Sequence, residues 1–270
     1  ELTDAITLKS ITAYREGQTN TLIDFDTSPA PALDVPGYYE DDQLTQEVQF
    51  LYDGERLRGV AGLYYLDAHA AGKFDTIVGL LNLTIATSGF VDTTSYAAYA
   101  DFSYDFTDKL SASLGGRYTS DEKEGGVYRQ NFTGLYSPLF GNDAAVPGLV
   151  RSDYTNDRTF DQFTPRASVS YEFTDTFTTY ASYSEGFKSG GFDMRGDVVL
   201  TPDTVNGYDP ETVQSYEIGA KGTLFDDRLS YNFAAFYADY SDQQITRQQP
   251  TVTGSIASFV DNAGASTIQG

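Results

Sequence analysis

The side chains that could do chemistry in this 270-residue sequence are few in kind. There is no Cys and a single His, His69. Disulfides, thiolate metal sites and multi-histidine centres are therefore excluded. The sequence also lacks a nucleophile elbow, a phosphate-cradling glycine loop and a dinucleotide fingerprint. Carboxylates are abundant: 39 acidic residues stand against 17 basic ones, a net charge of −22. Such a balance opposes binding to nucleic acid, which needs basic patches against phosphate. Asp34, Glu40, Asp41 and Asp42 form an acidic cluster. It would either attract a cation or lie in a solvated loop. The run DYTNDRTFD, Asp153–Asp161, offers oxygen ligands but lacks the glycine and terminal Glu of a calcium loop. Tyr38, Tyr39 and Tyr136 present faces on which an aromatic ligand would stack. The reading is of a chain with no catalytic residues, no cofactor and no metal site.

The most motif-like stretch is YASYSEGFKSGGFDMRG, Tyr180–Gly196. It opens as an alternating aromatic run and breaks at Gly190 and Gly191. Lys188, Gly190 and Gly191 mark a loop boundary. Glycines at such a point relieve crowding where a strand leaves its sheet, and Lys188 would either meet a ligand or pair a carboxylate.

These residues are carried by strands. Between Ser95 and Asp121, residues Tyr96, Ala98, Ala100, Phe102, Tyr104 and Phe106 alternate with Ala97, Tyr99, Asp101, Ser103 and Asp105. Period two continues after a turn at Thr107-Asp108-Lys109, which is the hairpin signal. Similar units turn at Asp53-Gly54, Thr174-Asp175 and Asp226-Asp227. Asp suits these turns because its side chain bonds backbone two residues on. Between hairpins the links are long. They run from Gly17 to Asp42, Ala68 to Thr93, Ser120 to Thr159, Ser189 to Pro210 and Asp242 to Ile256. With flanking strands at Ala5–Glu16 and Ala257–Gly270, about ten strands are predicted.

Short turns at one end and long loops at the other are the pattern of outer-membrane barrels. The runs of about 10 to 14 residues suffice for a tilted membrane strand. No stretch is apolar enough for a membrane helix: Ile77 to Val91 is interrupted by Gly79, Asn82, Ser88 and Gly89. One strand face carries Ala, Leu, Val, Phe and Tyr, suited to lipid. The other carries candidate lumen-facing residues Asp101, Arg117, Arg166, Glu172, Glu217 and Lys221. They would contact a plug or line a transport path, or satisfy one another as a cross-strand ion-pair ladder. Aromatics cluster at strand ends, at Tyr104, Phe106, Tyr171, Phe173, Phe177 and Phe225, where interfacial girdles sit.

Several segments resemble the barrel of TonB-dependent outer-membrane receptors. They include ITLKSITAYR (Ile6–Arg15), LSASLGGRYTSDEK (Leu110–Lys123), FTPRASVSYEF (Phe163–Phe173), EGFKSGG (Glu185–Gly191), PETVQSYEIGAKG (Pro210–Gly222) and NAGASTIQG (Asn262–Gly270). The resemblance implies an all-β, antiparallel up-and-down transmembrane barrel in the outer membrane of a Gram-negative bacterium. About ten of a presumed 22 strands would lie here, with short periplasmic turns and long extracellular loops. It implies a receptor for a scarce nutrient such as a ferric siderophore, with outer-membrane lipid, a small iron chelate and, through a plug region, TonB as partners. No segment resembles the plug or a TonB box, so residues 1–270 are expected to be a partial barrel lacking the plug and the C-terminal strands. The rival readings are a passive porin-like channel and a soluble β-rich adhesin or carbohydrate-binding module.

Overall fold

The computed structural model describes residues 3–30, 32–140, 144–250 and 256–270. Nine strands follow one another as an antiparallel meander: β1 Ile6–Asp24, β2 Leu33–Asp53, β3 Leu57–Val78, β4 Leu83–Asp105, β5 Leu110–Thr133, β6 Val146–Thr174, β7 Phe177–Lys188, β8 Glu211–Leu224 and β9 Leu229–Ser241. Each pairs with its sequence neighbour. A separate hairpin follows, β10 Gln244–Pro250 with β11 Ile256–Asn262, and then β12 Ser266–Gln269 returns to pair with β9.

The turns lie where the alternation predicts them. Local chemistry differs in detail, since in the β4–β5 turn Thr107 Oγ1, not an Asp, accepts the amides of Lys109 and Leu110. In the β8–β9 turn Phe225, Asp226 and Asp227 all take left-handed φ values of 52–62°. Asp tolerates that region better than most side chains.

Two expectations are corrected. Much of the chain expected to be loop is strand: β1 and β2 stay paired up to Asp24 and Asp34, and β3 and β4 up to Val78 and Leu83. Asp34, Glu40, Asp41 and Asp42 therefore sit on β2, and Asp153–Asp161 sits on β6. His69 lies within β3, where its Nδ1 is 2.5 Å from Asp92 Oδ1 across the ladder. The second correction concerns Ala257–Gly270, expected as one strand. It divides into β11 and β12 around Ala263 to Ala265, with Gly264 at a φ of +77°.

Strand length divides the wall. β1 to β6 run 19 to 29 residues, whereas β7 to β9 run 12 to 14. A membrane crossing takes about 9–11 residues, so the first six project well past it. Pairing of β6 with β7 stops at Arg166↔Ser184, leaving Val146 to Pro165 beyond the last paired residue of β7.

Candidate functional site

One face of the sheet is apolar and open. Tyr96 and Phe106 on β4 and its turn are 52% and 54% exposed, and Phe163 and Phe173 on β6 are 55% and 52% exposed. In both pairs the aromatics are ten residues apart. That is about 33 Å along a strand, which a tilt of about 40° reduces to about 25 Å, the height of the apolar band on outer-membrane barrels. Between them lie exposed aliphatics such as Leu114 and Ile218. Rings touch along both edges of the band, Tyr104 with Phe106 and Tyr171 with Phe173 at the short-turn edge, Tyr65 with Tyr96 and Tyr183 with Tyr216 at the other. A soluble protein would not leave a belt of this size in water.

The opposite face carries all six residues predicted to look inward, but at separate levels. Asp101 on β4 reaches Arg166 on β6 at 3.0 Å. Gly115 lies between them in the ladder, and a Cβ there would come within 2.2 Å of Asp101 Oδ2, so only glycine leaves the pair room to bridge. Arg117 donates to Thr119 at 3.0 Å and lies over the rings of Tyr64 and Tyr99 at 5.1 and 5.7 Å. Glu217 accepts the Tyr180 hydroxyl at 2.6 Å. Glu172 and Lys221 flank Thr178 in the ladder near the short turns. Of the six, Asp101 and Arg166 are the two joined as an ion pair among the described residues; tyrosine contacts occupy Arg117 and Glu217. Tyr39 faces this side against Gly72, while Tyr38 lies under the Lys73 ammonium.

Beyond β7 the sequence reading expected a polar loop. The chain instead folds back across the inward face of β5 and β6 and is gripped there. Lys123 donates to the Gly190 carbonyl at 2.9 Å and Arg129 to that of Arg195 at 2.7 Å. Ser152 donates to Gly196 O at 2.7 Å, Asn156 to Val205 O at 2.7 Å and Arg158 to Asn206 O at 3.1 Å. Within the segment, Phe192, Asp193 and Asp197 are buried. Lys188 and the two glycines do stand at the strand's end. Gly191 and Tyr208 form a bridge that closes the segment at its base. A Cβ on Gly190 would meet the Tyr208 carbonyl at 2.3 Å, so this crossing needs a glycine.

A buried ionic cluster sits under the segment. Arg151 Nε is 2.6 Å from Asp197 Oδ2, and Arg195 engages both Asp193 oxygens at 3.0 Å. That bond pushes the Arg195 pKa above its ordinary value. Sequence reasoning missed Arg129, Arg151, Arg195, Asp193 and Asp197, because they come from three distant stretches. The available signal was Arg129, which keeps the inward parity of Arg117; Arg151 falls on the opposite parity from Arg166 and reaches the cluster where the β5–β6 register shifts. At the β1–β2 tip, Asp24, Asp26 and Asp34 bring oxygens within 4.8 Å of one another. Asp24 and Asp26 already accept turn amides there, including that of Leu33 at 2.6 Å.

The family described as TonB dependent receptor-like, beta-barrel, matches residues 1–270. The chain belongs to that family. A pesticin receptor of Yersinia pestis is 23% identical over 222 residues, covering 81% of this chain and 30% of that protein. A ferric-pyoverdine BN7/BN8 receptor of Pseudomonas putida is 28% identical over 146 residues, covering 54% of this chain and 15% of its own length. The chain thus spans less than a third of the curated relatives it matches. The fold agrees with solved structures. The ferric yersiniabactin uptake receptor FyuA of Yersinia pestis superposes with a TM-score of 0.75 at 18% identity, over 97% of this chain and 36% of that one. The copper transporter OprC superposes at 0.69 and 12% identity, over 99% and 40%. This receptor barrel is thus an outer-membrane β-wall, its apolar face set in lipid and its polar face turned to the lumen. The family is one of receptors, not enzymes.

Proposed function

We propose that this receptor barrel forms part of the wall and extracellular rim of a transporter that captures an iron chelate and admits it with energy relayed through TonB. The observation that carries this reading is the segment 189–210, folded into the lumen and held by five side-chain bonds from β5 and β6 to its backbone carbonyls. A passive channel works through an open water path, whereas here the outer end of the lumen is furnished with structured cavities. Relatives named as ferric-pyoverdine and pesticin receptors support iron chelates as the cargo class. Further strands would complete the barrel, because β1 and β12 each pair on one side among the described residues. Open edges are costly in lipid. Asp101, Arg117, Arg166, Glu172, Glu217 and Lys221 are proposed to line the transport path or meet the plug.

Radio-iron uptake from a panel of ferric chelates tests this reading, in cells with and without the gene and with and without TonB. Uptake of at least one chelate is expected to need both. Uptake that needs the gene and ignores TonB would establish the passive channel instead.

A further inference from the structure

Beside the inward-folded segment lies a cavity of about 420 Å³. Arg129, Arg151, Arg195 and Asp197 line its polar side, and Phe74, Leu83 and Leu200 contribute to its apolar side. Three guanidiniums meet two carboxylates here. Asp193 is saturated by two nitrogens of Arg195 and by the Val260 amide at 2.8 Å. Asp197 is committed to Arg151 at 2.6 Å and lies 3.9 Å from Arg129 Nε, beyond hydrogen-bond reach.

Arg129 is therefore a surplus cation. Its side chain is only 17% exposed; its Nη1 donates to the neutral Arg195 carbonyl, and its Nε has no hydrogen-bond partner among the described residues. Burial pulls its pKa below the ordinary value, yet a guanidinium does not give up its proton in a protein. Directly across the ladder Thr87 is fully buried, and its hydroxyl too is unpartnered among the described residues. A buried, uncompensated charge is costly unless an anion meets it. In a chain of net charge −22 a locally positive cavity also stands against the prevailing field.

We propose that this cavity receives the carboxylate of an amphipathic, singly anionic ligand, with Arg129 as the group that binds it and the apolar side as the bed for its body. A carboxylate suits the planar fork of a guanidinium. The proposal deepens the receptor reading, on which it rests, by naming the charge and shape of the cargo's recognised end.

The test uses the protein purified from outer membranes in detergent, with salicylate and its neutral isostere salicylamide as probes followed by saturation-transfer NMR and equilibrium dialysis. Salicylate is expected to bind in the millimolar range, as fragments do, and salicylamide about tenfold or more weakly. Arg129→Met should abolish this preference, and Arg129→Lys, which keeps the positive charge, should retain part of it. Equal binding of the two probes to the unaltered protein, or no binding of salicylate, would overturn the proposal. So would an Arg129→Met protein that keeps the preference. Neither iron nor TonB enters this measurement, so its failure leaves the receptor reading standing. TonB-independent uptake would sink that reading and leave the carboxylate site.

Discussion

The two halves of the wall use their chain beyond the membrane in different ways. From β1 to β6 most of it remains in the sheet, held by backbone ladders that are interrupted at the top of β5 and β6. At β7 and β8 the strands stop early, and the 22 residues between them fold onto the inner face instead. There the grip comes from wall side chains on backbone carbonyls. A ladder depends little on which side chains it carries, whereas a gripped segment depends on a handful of them. The second half should therefore be the more sensitive to single substitutions.

Asp197→Asn should have the largest effect. It leaves Arg151 buried without its carboxylate, a cost of about 3–5 kcal/mol, and hydrogen exchange across 189–210 should rise while the transmembrane ladder stays protected. Equal loss of protection in both halves would erase the contrast. The ladder half has its own weak point at Asp75, which is fully buried near the β3 tip and accepts the Ser137 hydroxyl. Burial raises its pKa from 3.8 to about 6. A raised carboxyl is destabilising once ionised, so the tip should be most stable below about pH 4, weaken as pH rises towards 6, and stay level above. The span is at most about 3 kcal/mol. Exchange protection of residues 136–140 against pH measures it, and Asp75→Asn should flatten the curve. Next in size is Ser152→Ala. This buried hydroxyl donates to Gly196 and accepts from the Val198 amide at 3.0 Å, so its loss should loosen the segment by about 1–2 kcal/mol in the same exchange experiment. Thr19→Ala on exposed β1 should move stability by no more than about 0.5 kcal/mol in thermal unfolding. A larger change would show that the ladder half also relies on individual side chains.

The membrane-spanning portion was legible in the sequence because lipid on one side and water on the other impose a strict period of two. Tyr96 to Phe106 and Phe163 to Phe173 announce themselves in this way. Above the membrane both faces are wet, the alternation fades, and Gly17 to Asp42 reads as loop although most of it is paired strand. The inward segment was illegible for a related reason. Its polar sequence and glycines look like solvated chain, and what anchors it are Lys123, Arg129, Ser152, Asn156 and Arg158, each inconspicuous on its own strand. Of the predicted inward residues, Asp101 and Arg166 came together as an ion pair, and Glu217 found a tyrosine that the alternation had placed on the same face but had not linked to it.

A segment held by its carbonyls has a consequence for how such a protein can change. The wall grips Gly190, Arg195, Gly196, Val205 and Asn206 through backbone oxygens, which nearly any residue supplies. Mutations in this segment away from Gly190, Asp193 and Asp197 can therefore redraw the shape and charge of the lumen's mouth without unfastening it. The barrel can acquire a new cargo by drift in one short stretch, while the strands that must fit the membrane stay as they are.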